Sequence, residues 1–469
     1  MNRFFLTVFL VIALVGKGFT QNSKTQSNSQ QPNIIFIFID DMGYGDLSSF
    51  GNEKLETPNI DRLADEGIKL TNFYTASPIC SPARVSVTTG QYPARWQIHS
   101  YLAGSDQNKK RDMPNYLDPG APSIARTMKN AGYATAHFGK WHMGGGRDVG
   151  DAPLPQAYGF DQSLVSFEGL GPRVLRREHG LSEQNAELGQ GPIQWVKKWE
   201  RTGIYVDSTL SFIERNSEQP FYIHLWPGDV HDPFIPKPEW REKFSEYDND
   251  HYERDFLATL WNLDRQIGRV LDGLDDMGLA ENTIVVLTSD NGPTDWDFYY
   301  DEHYWPPGSV GPFHGRKWSL YEGGIRMPFL ARWPGHIPSG MVDVTTIMST
   351  IDLFRTFSNI VDVETPPVDF DGEDMSQALL GNPQKRKKPL FWEYGPEDFF
   401  LSPGNPRFQS PSLVVRAGQW KLLMNIDSTD IQLYNLKKDH AETTNLKDKY
   451  PQVAQQLVEK IFDWKATLK

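Results

Sequence analysis

A single cysteine, Cys80, stands in the stretch ICSPAR of a 469-residue chain, with Pro82 two residues on and Arg84 four on. One thiol cannot close an intramolecular disulfide, which removes the structural use open to most exported cysteines. What is left is a small buried side chain or a thiol kept for its reactivity, and spacing alone leaves both open. Two pairs of hard oxygen donors accompany it, Asp40-Asp41 and Asp290-Asn291, each with a glycine close behind. Three carboxylates and an amide oxygen brought together would repel one another unless a cation sat among them. An all-oxygen set without His or Cys selects a hard ion, calcium or magnesium. Taken singly, each pair is also an ordinary turn after a strand.

The two pairs converge only if the elements before them end side by side. NIIFIFID, residues 33–40, is continuously apolar and β-branched, as a strand covered on both faces should be. TIVVLTSDNG, residues 283–292, repeats the plan, and ATAHFG and FYIHLW read as further strands. Between them lie helical segments: PNIDRLADEG, SIARTMKNAG with Ser123 as N-cap, and FLATLWNLDRQIGRVLDGL with Leu260, Leu263, Ile267, Leu271 and Leu274 on one face. This alternation predicts an α/β fold, a mostly parallel sheet flanked by helices, in which ligands bind beyond the carboxyl ends of the strands. Past Ile351 the pattern changes to a helix, a Pro- and Gly-rich stretch, shorter strands such as SLVVRAGQWKLLMN and a final helical stripe, Val453, Leu457, Ile461, Trp464 and Leu468. That predicts a smaller C-terminal α+β domain.

The chain opens with Arg3 and an apolar run from Phe4 to Val15, too short to span a bilayer, which reads as a cleaved export signal. The predicted organisation is therefore a signal peptide over 1–20, a disordered lead-in over 21–31, a catalytic domain over 32–365 and the small domain over 366–469. No stable membrane insertion is expected, and the protein should be exported, periplasmic or secreted. A net charge of −13 disfavours nucleic acid as a partner. Fourteen tryptophans would suit a carbohydrate-facing surface, although most should be core. The run KRKK, residues 385–388, reads as a solvated turn.

CSPAR fits the pattern C-x-P-x-R, and it does not stand alone. TTGQYPAR follows it, then GKWHMG at 139–144, HDPF from His231, SDNG from Ser289 and KWSLYEGGIRMP at 317–328. From about Pro32 onward the chain resembles the formylglycine-dependent sulfatases, the type I arylsulfatase family. QLYNLKKDHAETTNL resembles that family's closing antiparallel sheet. The resemblance implies an alkaline-phosphatase-like fold and oxidation of Cys80 to formylglycine by a maturation enzyme. A serine attacking a sulfate ester would form another ester about as stable as the first. A hydrated aldehyde escapes that trap, because one hydroxyl attacks sulfur and deprotonation of the other ejects sulfate.

By the same resemblance Asp40, Asp41, Asp290 and Asn291 hold a calcium ion. Arg84, one helical turn from Cys80, holds the aldehyde hydrate, and Lys140 and Lys317 clamp sulfate oxygens. His142 is the base for sulfate release and His231 the acid for the departing alcohol. Arg95, His99, Arg147, Arg173 and His314 fall near these motifs as candidates for reading the sugar. The implied substrate is a sulfated oligosaccharide or polysaccharide. WQIHSYLAG and GLGPRVLRREHG look most like sulfatases of algal-polysaccharide degraders, with ulvan favoured and exo attack on oligosaccharides expected. Phosphoester or phosphonate hydrolysis and non-catalytic binding of a sulfated glycan are the competing readings.

Overall fold

Asn33–Ile39 is buried along its whole length. Ile34, Phe36 and Phe38 enter one hydrophobic core while Ile35, Ile37 and Ile39 enter another on the opposite face, as the two-residue period of a strand requires. The chain is seen as a computed structural model that describes Met1 and residues 31–468, apart from residues 178, 302–303 and 396–399. The expected signal peptide, and the lead-in up to residue 30, lie outside the described residues.

The large sheet runs, in spatial order, Met341–Asp343, Ile68–Tyr74, Arg326–Arg332, Thr283–Ser289, Asn33–Ile39, Phe221–Trp226, Ala134–Lys140, Gln162–Ser166, Arg173–Arg176 and Ile193–Val196, with the short Met348–Ser349 also pairing on Ile68–Tyr74. All pairings are parallel except the two made by Arg326–Arg332. Helices cover both faces. His251–Asp276 buries Leu260, Leu263, Ile267, Leu271 and Leu274 as its sequence period predicts. Ser123 caps the helix Ile124–Asn130, its hydroxyl accepting from the Arg126 amide. The expectation of a mostly parallel sheet between helices holds.

Register brings the acids together. Asn33–Ile39 pairs in parallel with Thr283–Ser289, with Ile39 opposite Ser289. Asp40-Asp41 and Asp290-Asn291 therefore leave the sheet side by side. Lys140 ends the strand Ala134–Lys140, and Trp226, five residues before His231, ends Phe221–Trp226.

A second sheet, antiparallel throughout, comprises Leu390–Glu393, Leu413–Ala417, Trp420–Met424 and Gln432–Asn435. One face packs Leu413, Val415, Leu422 and Leu433 on Leu457 and Ile461 of the helix Pro451–Ala466. The other packs Val414, Leu423 and Trp392 against Tyr74, Trp318, Ile325 and Ile351 of the larger part. KRKK is not the solvated turn its composition suggests. Its lysines are exposed, but the Arg386 side chain is 4% exposed and paired with buried Asp352.

Candidate active site

Cys80 is the first residue of the helix Cys80–Thr89, every residue of which is buried. Its Sγ lies 3.4 Å from Asp40 Oδ1 and 3.8 Å from Asp41 Oδ1. Burial pushes the thiol's pKa up, against the pull of Lys140 and Lys317, so the unmodified thiol stays protonated. One turn on, Arg84 is fully buried and reaches 2.7 Å to Asp290 and 3.4 Å to Asp40. Its carbon lies 5.2 Å above the Trp226 ring and 5.6 Å above Phe38.

Two lysines close the cluster. Lys140 Nζ is 2.8 Å from both oxygens of Asp40, and Lys317 Nζ is 2.6 Å from both oxygens of Asp41. Burial opposes the charge on Asp40, but Lys140, His231, Arg84 and Lys317 outweigh it and hold its pKa well below the ordinary range. Asp290 goes the other way: burial and the neighbouring Asp40 push it up to about 7 despite Arg84. Three turns here carry non-glycine residues at positive φ, Asp41 at 61°, His142 at 51° and Trp318 at 68°. Such backbone gathers where side chains must be aimed rather than merely packed.

The donor set fits a hard cation. Asp40, Asp41, Cys80 and Asp290 each offer a ligand atom, and these lie within 4.8 Å of one another. Asn291 Nδ2 donates to Asp41 Oδ1 at 2.8 Å, while its Oδ1 is buried with no partner, an acceptor without a donor beside acidic oxygens. Carboxylate and amide oxygens are what calcium or magnesium takes.

The two histidines differ in tautomer. His142 Nε2 faces the Leu102 carbonyl at 3.3 Å and must donate to it, which leaves Nδ1 as the acceptor; that atom is buried and unpartnered. His231 is reversed. Its Nδ1 donates to the Asp232 carbonyl at 2.7 Å, and Nε2 lies 3.6 Å from Asp41 Oδ2. Burial lowers His231 to about 4, with Asp41 pulling back toward the charged form.

All ten residues expected at the site are thus gathered at one end of the central strands. The five candidate sugar readers have surroundings of their own, and Arg147 still lies close enough to His142 to oppose its protonation. Arg95 pairs with Asp371, Arg147 with Glu168, and His314 packs against Tyr321 and Phe408. His99 lines a small cavity with Glu393 and Trp464. Arg173 is buried and bound to Asn185 and the Gly189 carbonyl. The cleft beside Lys140 and His231 is lined instead by Arg176, His179, Lys198, Arg201 and Asp232. None of these is an expected site residue, although Arg176, His179 and Asp232 lie within the stretches GLGPRVLRREHG and HDPF.

The profile described as Sulfatase matches residues 32–363, and one described as N-sulphoglucosamine sulphohydrolase, C-terminal, matches 308–467. The chain belongs to the sulfatase family. The sulfatase is 29% identical to an N-acetylgalactosamine-6-O-sulfatase of Bacteroides thetaiotaomicron, covering 93% of this chain and 94% of that one. It is 31% identical to the N-acetylgalactosamine-6-sulfatase of Sus scrofa, covering 83% and 72%. Among solved structures, a sulfatase from glycosaminoglycan metabolism in Bacteroides thetaiotaomicron superposes with a TM-score of 0.74 at 28% identity, covering 93% and 100%. Ps i-CgsB in complex with k-i-k-neocarrahexaose superposes with a TM-score of 0.75 at 25% identity, covering 93% of each chain. The protein is a sulfuric ester hydrolase, and sulfatases of this kind generally use a formylglycine made from cysteine and a metal ion.

Proposed function

We propose that this sulfatase hydrolyses a sulfate ester on a carbohydrate, using a formylglycine made from Cys80 and a calcium ion among Asp40, Asp41, Asp290 and Asn291. The observation that carries the reading is the placement of Cys80 Sγ between two carboxylates, each clamped by a lysine. Bound calcium would supply Lewis-acid polarisation of the sulfate, and the aldehyde hydrate would supply a nucleophile whose ester can collapse. The chain's own residues do the rest. Lys140 and Lys317 hold the negative oxygens of the sulfate, and Arg84 orients the group at position 80. His142 Nδ1, its ring fixed through Leu102, takes the proton removed as sulfate is released. His231 Nε2 holds a proton for the sugar oxygen; the negative charge of a bound sulfate raises its affinity for that proton.

Export, maturation by a formylglycine-generating enzyme, and the division at 365/366 belong to the same proposal. Among the described residues no helix is long and apolar enough to cross a membrane. Ulvan oligosaccharides are the proposed substrate, on the sequence of the segments at 96–104 and 169–180. A second reading, 6-sulfated N-acetylgalactosamine, is favoured by the names of the relatives at 29–31% identity. Phosphonate hydrolysis has only a shared fold behind it, at 18% identity. Free sulfate released from a panel of ulvan, carrageenan, fucoidan and glycosaminoglycan oligosaccharides and their parent polymers tests this. The expected outcome is release from ulvan oligosaccharides, faster than from the polymer, lost on chelation and restored by calcium. Activity confined to glycosaminoglycans would transfer the assignment to the second reading.

A further inference from the structure

The cleft beside the nucleophile is lined by more basic side chains than one sulfate needs. Beyond Lys140 and His231 its wall is built from the end of Arg173–Arg176, the residue before the helix Gly180–Glu187, and the turn leading into the helix Arg201–Arg215. Arg176, His179, Lys198 and Arg201 all line it. Among the described residues, Asp40 and Asp232 are the only acids in the lining. Asp40 is held by Lys140 and Arg84, and burial together with Asp41 pushes Asp232 up to about 7.

The cations are not equally available. Lys198 is buried and used in the fold, its ammonium donating to the carbonyls of His231 and Pro233, which ties the wall to the His231 loop. Arg201 is different. Half-exposed, its side chain makes no hydrogen bond or ion pair with any described residue, and its Nη2 lies 3.5 Å from where a Cβ on Gly228 would stand. Its guanidinium thus lies over the glycine three residues before His231, on the rim of the same cleft. The field of these cations is felt around it. Burial, helped by Arg176, Arg201 and Lys198, lowers His179 to about 4, and burial and Arg201 lower Lys198 to about 7. A guanidinium like that of Arg201, with no side-chain partner among the described residues and other basic groups beside it, favours an anion, and its planar fork suits a sulfate or a carboxylate held through two oxygens.

We infer that the wall bearing Arg201, Arg176 and His179 binds a second anionic group of the saccharide, a sulfate or a uronate carboxylate, alongside the sulfate that is removed. The preferred substrate is then doubly anionic, and Arg201 is a specificity-determining residue. The inference rests on the sulfatase reading of this cleft and adds the chemical class of the neighbouring group.

Steady-state kinetics on formylglycine-bearing enzyme test it with three probes: a monosulfated monosaccharide, its disulfated counterpart, and the same monosulfated sugar linked to a uronate. Wild type should prefer at least one doubly anionic probe, and which one tells sulfate from carboxylate. Arg201→Gln should cut the ratio of kcat/KM for that probe over the monosulfated one about 10- to 100-fold, chiefly through KM. Arg201→Lys should recover part of it, as a merely structural arginine would not. A ratio unchanged in Arg201→Gln, with the monosulfated probe still turned over, overturns the second-anion site and leaves the sulfatase reading standing. Release of sulfate from none of the probes by wild type overturns both together.

Discussion

At the ends of the central strands Asp40, Asp41 and Asp290 share three cations, Arg84, Lys140 and Lys317. Where the C-terminal sheet packs on the larger part, Glu322 and Glu442 share Lys421, and all three side chains are fully buried. In this second cluster each carboxylate oxygen has a charged or polar partner, Glu442 Oε1 through its ion pair with Lys421 alone, without a hydrogen bond. Glu322 takes Lys421 at 3.0 Å, Tyr74 at 2.6 Å and Arg326 at 3.3 Å, and Glu442 takes Lys421 at 2.9 Å and the Glu322 amide at 2.7 Å. The first cluster leaves the Asn291 carbonyl oxygen unpartnered, turns a thiol toward its carboxylates and borders a cleft. Buried charge alone does not distinguish a catalytic centre from a structural clasp. Incomplete partnering beside an opening does.

Removing one lysine from each cluster should separate the two kinds. Lys317→Met should lower kcat/KM for sulfate release roughly 100- to 1,000-fold, the scale of losing one preorganised positive group at the reacting oxyanion. Its calcium-loaded melting temperature should fall less than that of Lys421→Met. Lys421→Met leaves two carboxylates buried without their cation and should cost about 3–5 kcal/mol in denaturant unfolding. Its turnover per folded molecule should stay within about twofold, since nothing near Lys421 faces the cleft. Loss of activity in both variants with equal destabilisation would erase the distinction.

The clasp should also show itself in pH. Burial, and then Glu322, push Glu442 up to about 7 from its ordinary 4.5, against Lys421. Between those values the folded protein holds a proton that the unfolded chain has released. Stability from this group is therefore lost as pH rises from 4.5 to 7, by about 1–3 kcal/mol. Glu442→Gln should flatten that part of the stability profile, measured by urea unfolding at stepped pH, and an unchanged slope would place the titration elsewhere.

Much of the site was legible because its residues follow strands whose apolar runs are unmistakable. Ile39 and Ser289 end such runs, so the acids behind them had to emerge at one edge of a parallel sheet. The residues of the cleft wall were not legible, for a reason of geometry. Arg173 and Arg176 lie three apart on one strand and so point to opposite faces; the first is bound to Asn185 while the second lines the cleft. Which face is the cleft depends on helices packed from elsewhere in the chain. Arg386 illustrates the same limit, since nothing in KRKK announces the buried Asp352 thirty-four residues upstream that holds it. His137 and His224, by contrast, read in sequence only as parts of strands and do pack among aromatic rings, His224 stacked 4.3 Å from Trp226.

The conversion of Cys80 is the step on which the catalytic account turns. Preparations spanning a range of Cys80 oxidation, each quantified by peptide mass spectrometry and each assayed for sulfate released from one sulfated oligosaccharide, measure it directly. The expected result is a rate proportional to the formylglycine fraction, vanishing at zero conversion and in Cys80→Ser. Sulfate release that is independent of that fraction, or absent at full conversion on every sulfated sugar tried, would contradict it.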